Sequence, residues 1–119
     1  MAITTQIKQS NVDKVIHQTD CDETADDNIF DGSGSFFYIH AVNPHSNECW
    51  LKIYDTKSPT VGTTAPDFQL HCKGNVTQTV LVRSGVVLSK GLSIAATKEA
   101  GTAGTTTPDG NLAVTIVGA

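Results

Sequence analysis

Between Ser35 and Val117, apolar and polar residues alternate in short runs, with the two-residue period of strands that bury one face. Phe36-Phe37-Tyr38-Ile39-His40-Ala41-Val42 opens the series and is too apolar to leave a face fully in water. Asn43-Pro44-His45-Ser46-Asn47 is a turn cluster leading into Glu48-Cys49-Trp50-Leu51-Lys52-Ile53-Tyr54. Phe68-Gln69-Leu70-His71-Cys72-Lys73 alternates strictly, and Gly74-Asn75 turns the chain into Val76 to Val82. A short Val86-Val87-Leu88, then Leu92-Ser93-Ile94-Ala95-Ala96, and finally Leu112 to Val117 complete the pattern. No segment longer than a turn carries a 3.6-residue apolar stripe. About seven to nine strands separated by turn signals predict an all-β fold, an antiparallel, jelly-roll-like β-sandwich. Ile39, Leu51, Ile53, Phe68, Leu70, Val80, Leu92, Ile94, Val114 and Ile116 are the expected core.

One phrase is used twice. Gly62-Thr63-Thr64-Ala65-Pro66-Asp67 recurs as Gly104-Thr105-Thr106-Thr107-Pro108-Asp109, each time between strand-like runs. The residue before a proline is pushed toward β or polyproline geometry, and Pro-Asp favours a turn. Both copies therefore read as extended crossings between strands rather than as sites of chemistry.

Residues 1–34 differ from the rest. Ile3-Thr4-Thr5-Gln6-Ile7-Lys8 alternates weakly, as does Lys14-Val15-Ile16-His17, and an acid-rich stretch from Thr19 to Asp27 has no apolar periodicity. Phe30-Asp31-Gly32-Ser33-Gly34 is a turn cluster. The chain accordingly divides into an extended N-terminal segment, 1–34, and a sandwich, 35–119. With few large apolar side chains, the segment buries too little by itself to offset an ordering entropy of about 1–2 kcal/mol per residue. It is either an attachment arm anchored by Ile3 and Ile7, or the outer strands of the same sandwich.

Composition narrows the function classes. In 119 residues, 39% are apolar and 17% charged, with Thr, Ser, Gly and Asn making up the difference. Disorder requires high net charge with low hydrophobicity, and the net charge here is only −4. Arg83 is the single arginine and the lysines are scattered singly, which argues against nucleic-acid binding. No stretch has the length of an apolar membrane span, and Met1-Ala2-Ile3-Thr4-Thr5 lacks the basic start and apolar run of a signal peptide. Synthesis in the cytoplasm without export, and no membrane partner, are the expectations.

The candidate chemistry is sparse. Cys21, Cys49 and Cys72 form no disulfide framework and no C-x-x-C pair. Cys49 and Cys72 fall on apolar strand faces, whereas Cys21 sits among acids and is expected to be exposed. Asp20, Asp22, Glu23, Asp26 and Asp27 lack the spacing of a calcium loop and read as a solvated acidic turn. His71 and Cys72, adjacent on a strand, point to opposite faces, so a shared metal is not expected. There is no G-x-S-x-G elbow, and Gly101-Thr102-Ala103-Gly104-Thr105 lacks a P-loop lysine. No catalytic residue, cofactor or metal is assigned. Trp50, Lys52 and Tyr54 share one strand face, read as core or oligomer seam rather than as a ligand surface. The protein-binding candidates are thus Ile3, Ile7, Trp50 and Tyr54.

Leu51-Lys52-Ile53-Tyr54-Asp55 followed by Ser58-Pro59-Thr60-Val61-Gly62-Thr63-Thr64-Ala65-Pro66-Asp67 resembles small virion proteins of tailed bacteriophages, of the marine and cyanobacterial-virus type. So does Gly91-Leu92-Ser93-Ile94-Ala95-Ala96-Thr97-Lys98-Glu99-Ala100-Gly101-Thr102-Ala103-Gly104-Thr105-Thr106. The similarity covers residues 35–119 and leaves out the N-terminal third. It implies a non-enzymatic β-sandwich component of a phage particle, located in the virion. A capsid decoration or cement protein is the first expectation; a tail or fibre subunit, or a small glycan- or host-surface-binding module, is the alternative. The implied partners are the major capsid protein or other virion proteins, and further copies of the chain, with a trimer favoured. The resemblance carries over no catalytic residue.

Overall fold

In a computed structural model, residues 14–119 are described and contain seven strands: β1 (Lys14–Cys21), β2 (Gly34–Val42), β3 (Cys49–Asp55), β4 (Phe68–Cys72), β5 (Thr77–Leu88), β6 (Leu92–Thr97) and β7 (Leu112–Gly118). Every pairing is antiparallel. A four-stranded sheet runs β1-β7-β2-β5, and a three-stranded sheet runs β4-β3-β6. Alternation in sequence becomes alternation in space: Leu112, Val114 and Ile116 of β7 are buried while Ala113, Thr115 and Val117 are half-exposed. Residues 14–34 belong to this body rather than to an arm, because β1 pairs along β7 from Lys14↔Gly118 to Cys21↔Leu112. The strand expected over Ile3–Lys8, and both anchors Ile3 and Ile7, lie outside the described residues.

The inner faces meet in one apolar core that includes Phe36, Ile39, Leu51, Ile53, Ile94, Leu112 and Ile116. Two expectations need correcting. Cys21 is fully buried rather than exposed. The β1–β7 register shifts by one residue between Gln18 and Cys21, and a one-residue slip in a strand sends the side chain to the opposite face. Sequence periodicity cannot see such a bulge. Phe68, expected inside, is 43% exposed, and Leu70 and Val80 are only half-buried. All three lie along one side of the sandwich that nothing among the described residues closes. A third difference concerns Val76–Val82 and Val86–Leu88, which form one strand, β5, interrupted by a bulge opposite Phe36 and Tyr38. Gly85 permits it with φ +80, and a Cβ there would come within 2.7 Å of the Phe37 ring.

Candidate functional site

Two long loops cover the outer face of the β4-β3-β6 sheet. Trp50, Lys52 and Tyr54 point to that face from β3, opposite to Cys49, Leu51 and Ile53. Lys52 is fully buried, and its ammonium donates to the Gly104 carbonyl at 2.9 Å, in the second copy of the repeated phrase. Burial pulls this lysine below its ordinary pKa, while the nearby Glu99 carboxylate acts in the opposite direction. From β4, Gln69 accepts a hydrogen bond from the Gly101 amide at 2.7 Å, and the Thr97 hydroxyl donates to the Glu99 carbonyl at 2.7 Å. The two copies of the phrase meet over the sheet, since a Cβ on Gly62 would lie 2.6 Å from the Thr105 methyl group. Tyr54 is fully buried beneath this layer, which raises its phenol pKa, and its hydroxyl has no partner among the described residues.

Other polar groups fasten the frame. The Asn43 side chain, itself buried, donates to the carbonyls of Asn47, Cys72 and Lys73 and accepts from the His45 amide. Asp55 accepts from the amides of Ser89, Lys90 and Gly91 in the β5–β6 turn. Desolvation pushes its pKa up, but those amides and the Ser89 hydroxyl outweigh it, so the carboxyl is held below its usual value. The acids of the N-terminal stretch serve local roles: Asp26 accepts from Gln18 at 2.8 Å and Asp22 caps the Thr24 amide at 2.9 Å. Among the described residues no cluster of His, Cys, Asp or Glu is arranged to hold a metal ion.

The three cysteines are free and buried, with Cys49 and Cys72 opposite one another on β3 and β4. Burial, reinforced by Asp26, raises the Cys21 thiol. Cys49, hydrogen-bonded to Cys72 and desolvated, is also raised. Such thiols are poor nucleophiles at neutral pH.

Among the described residues, two apolar surfaces are left uncovered. The first is a slot of about 180 Å³ between β4 and β5, lined by Phe36, Ile39, Ile53, Phe68, Val80 and Val86 among others. Phe36 and Phe68 meet edge to face across it, with ring centroids 6.0 Å apart. The strands on either side are the edges of their sheets, so each presents beside the slot one row of peptide groups with no strand partner among the described residues. The second lies on the outer face of the β1-β7-β2-β5 sheet. There the register places Val15, Val117, Tyr38 and Leu81 in one transverse row, with Val15 57% and Leu81 69% exposed. A parallel row holds His17, Thr115, His40 and Thr79.

Of the expected protein-binding residues, Trp50 reaches the surface and Tyr54 does not. Trp50 stacks on His71 at 4.4 Å and 22°, and the His71 ring N–H donates to Glu48 at 2.5 Å. The division of the sequence into strand-like runs hides the slot, because Val82 and Val86 fall in separate runs; in the fold both belong to β5 and line the slot together. A signal was present: β5 carries large apolar residues at both parities, Val80 and Val82 on one face, Leu81 and Val87 on the other.

Compared with protein-family models, with curated proteins and with solved structures, the chain matches none of them.

Proposed function

We propose that this chain is a non-enzymatic structural component of a bacteriophage particle, a decoration or cement protein on the head shell, acting in several copies. The observation that carries the reading is where the apolar surface lies. Both long loops that resemble phage virion proteins are fastened to one sheet, the second through Lys52 and Gln69 and the first through Asp67, which bonds to the backbone of Ile53 and Asp55. Among the described residues, nothing covers the β4–β5 slot or the Val15–Leu81 row. Contiguous apolar surface of that kind marks a subunit that is completed by neighbours. Pinned loops also suit a load-bearing part, because each hydrogen bond across the layer limits loop motion.

The Trp50–His71 stack beside Glu48 favours a second reading, a module that binds glycans or a host surface. A sugar face packs on an aromatic plane while its hydroxyls bond to a nearby carboxylate. Electron microscopy and mass spectrometry of purified particles separate the two. Density for this chain at regular positions on the head shell is the expected result. Its restriction to the tail or fibres would move it to the other structural role, and absence from particles would overturn the proposal.

A further inference from the structure

The slot between β4 and β5 needs an occupant that is apolar on one face and able to pair its backbone with a strand edge. An extended segment of alternating pattern meets both demands, by strand addition. The chain contains one outside the described residues: Ile3-Thr4-Thr5-Gln6-Ile7, uncharged, with Ile3 and Ile7 on the same face at a period of two. Ile3 to Ile7 in extended form spans about 13 Å, the length of four residues of an adjoining strand.

The register fixes where this segment leaves the body. Lys14 pairs with Gly118, Gly118 with Phe36, and Phe36 with Val86, so Lys14 stands in the same transverse row as two residues of the slot. It does so on the opposite edge of the sheet, three strand spacings or about 14 Å away. The thirteen residues before it reach about 43 Å when extended. Donor and acceptor thus occupy opposite edges of one molecule, the arrangement of a head-to-tail contact that closes into a ring or runs on as a filament.

We infer that the β4–β5 slot receives the Ile3–Ile7 segment of a second copy of the chain, which adds there as a strand with its two isoleucines in the slot. The inference gives a physical basis to the copy number in the proposed function and rests on that part of it alone. Each subunit gives a strand at its β1 edge and takes one at its β4–β5 edge.

The test uses full-length chains in sedimentation equilibrium. One variant carries Ile3→Asp and Ile7→Asp, which places charge on the donor strand; the other carries Val82→Asp, which places charge in the acceptor. Each by itself is expected to associate at least tenfold more weakly than the unaltered chain. A 1:1 mixture should recover a dimer containing one copy of each variant, because one sound donor and one sound acceptor remain. Recovery also requires that both variants be folded, and far-UV circular dichroism checks this for each alone. If the Ile3→Asp/Ile7→Asp chain assembles like the unaltered one, the Ile3–Ile7 segment is not the donor, although the oligomer stands. If the unaltered chain is a monomer and that variant merely melts at a lower temperature, the segment folds into its own slot. Either result, or a mixture that stays monomeric, overturns the inference; a monomeric unaltered chain also removes the copy number from the proposed function.

Discussion

The two sides of this sandwich are built differently from similar strands. On the β1–β6 side, residues 22–33 lie across the gap and tie the sheets together. Asp26 exchanges backbone hydrogen bonds with Ile94 at 2.8 and 3.1 Å, Asp22 accepts from the Ala96 amide at 2.7 Å, and the Ile29 amide donates to Leu92 at 2.8 Å. Phe30 is 3% exposed there. On the β4–β5 side no such segment is present among the described residues, and Phe68 is 43% exposed. An alternating strand reports that one of its faces is apolar. Whether that face is sealed depends on what crosses the edge, and in this chain an acidic stretch with little apolar pattern supplies the seal.

Removing a ring from each side breaks or sharpens this contrast most strongly. Phe30→Ala should cost about 3–5 kcal/mol, the usual range for a buried aromatic. Phe68→Ala should cost only about 1 kcal/mol, because much of the ring is already in water. Chemical denaturation measures both, and equal losses would show that the two sides are sealed alike. Leu51→Ala and Ile53→Ala, in the core between the two sides, should each cost about 2–5 kcal/mol.

The fold class was legible because period-two alternation survives wherever one face is buried, as in Leu112 to Val117. The seal was not legible. Its contacts with the β6 strand are backbone hydrogen bonds, which leave no apolar signature in Asp22 or Asp26. Cys21 was misplaced for a related reason, since a bulge changes the face without changing the composition. Trp50, Lys52 and Tyr54 share one face as the alternation predicts, yet the sequence could not reveal that the loop carrying Gly104, 52 residues beyond Lys52, helps to cover that face. Glycines and threonines in that loop read as a connection, and it is their carbonyls and methyl groups that form the cover.

A smaller effect tests the β5–β6 turn, which joins the open side to the closed one. Asp55 is held below its ordinary pKa by the turn amides. It therefore contributes stability above its unfolded-state pKa, and that contribution is lost as pH falls through the lower folded value. Asp55→Asn should lower stability at neutral pH and flatten the decline below about pH 4. Thermal melts across that range check it; an unchanged acid limb would show that the turn does not depend on this charge. The smallest change is expected at Leu81, 69% exposed on the bare sheet face. Leu81→Thr should shift the stability of the isolated subunit by less than about 0.5 kcal/mol.

Hydrogen exchange tests the central claim, that the β4–β5 edge is an acceptor completed by another copy, most directly. In the unaltered chain at high concentration, amides along the free edges of β4 and β5 should be protected, and dilution or the Ile3→Asp/Ile7→Asp change should release them. Protection along β6, sealed within the chain by residues 22–33, should not change. Fast exchange at the β4–β5 edge under all conditions, or protection that is indifferent to concentration, would contradict the account.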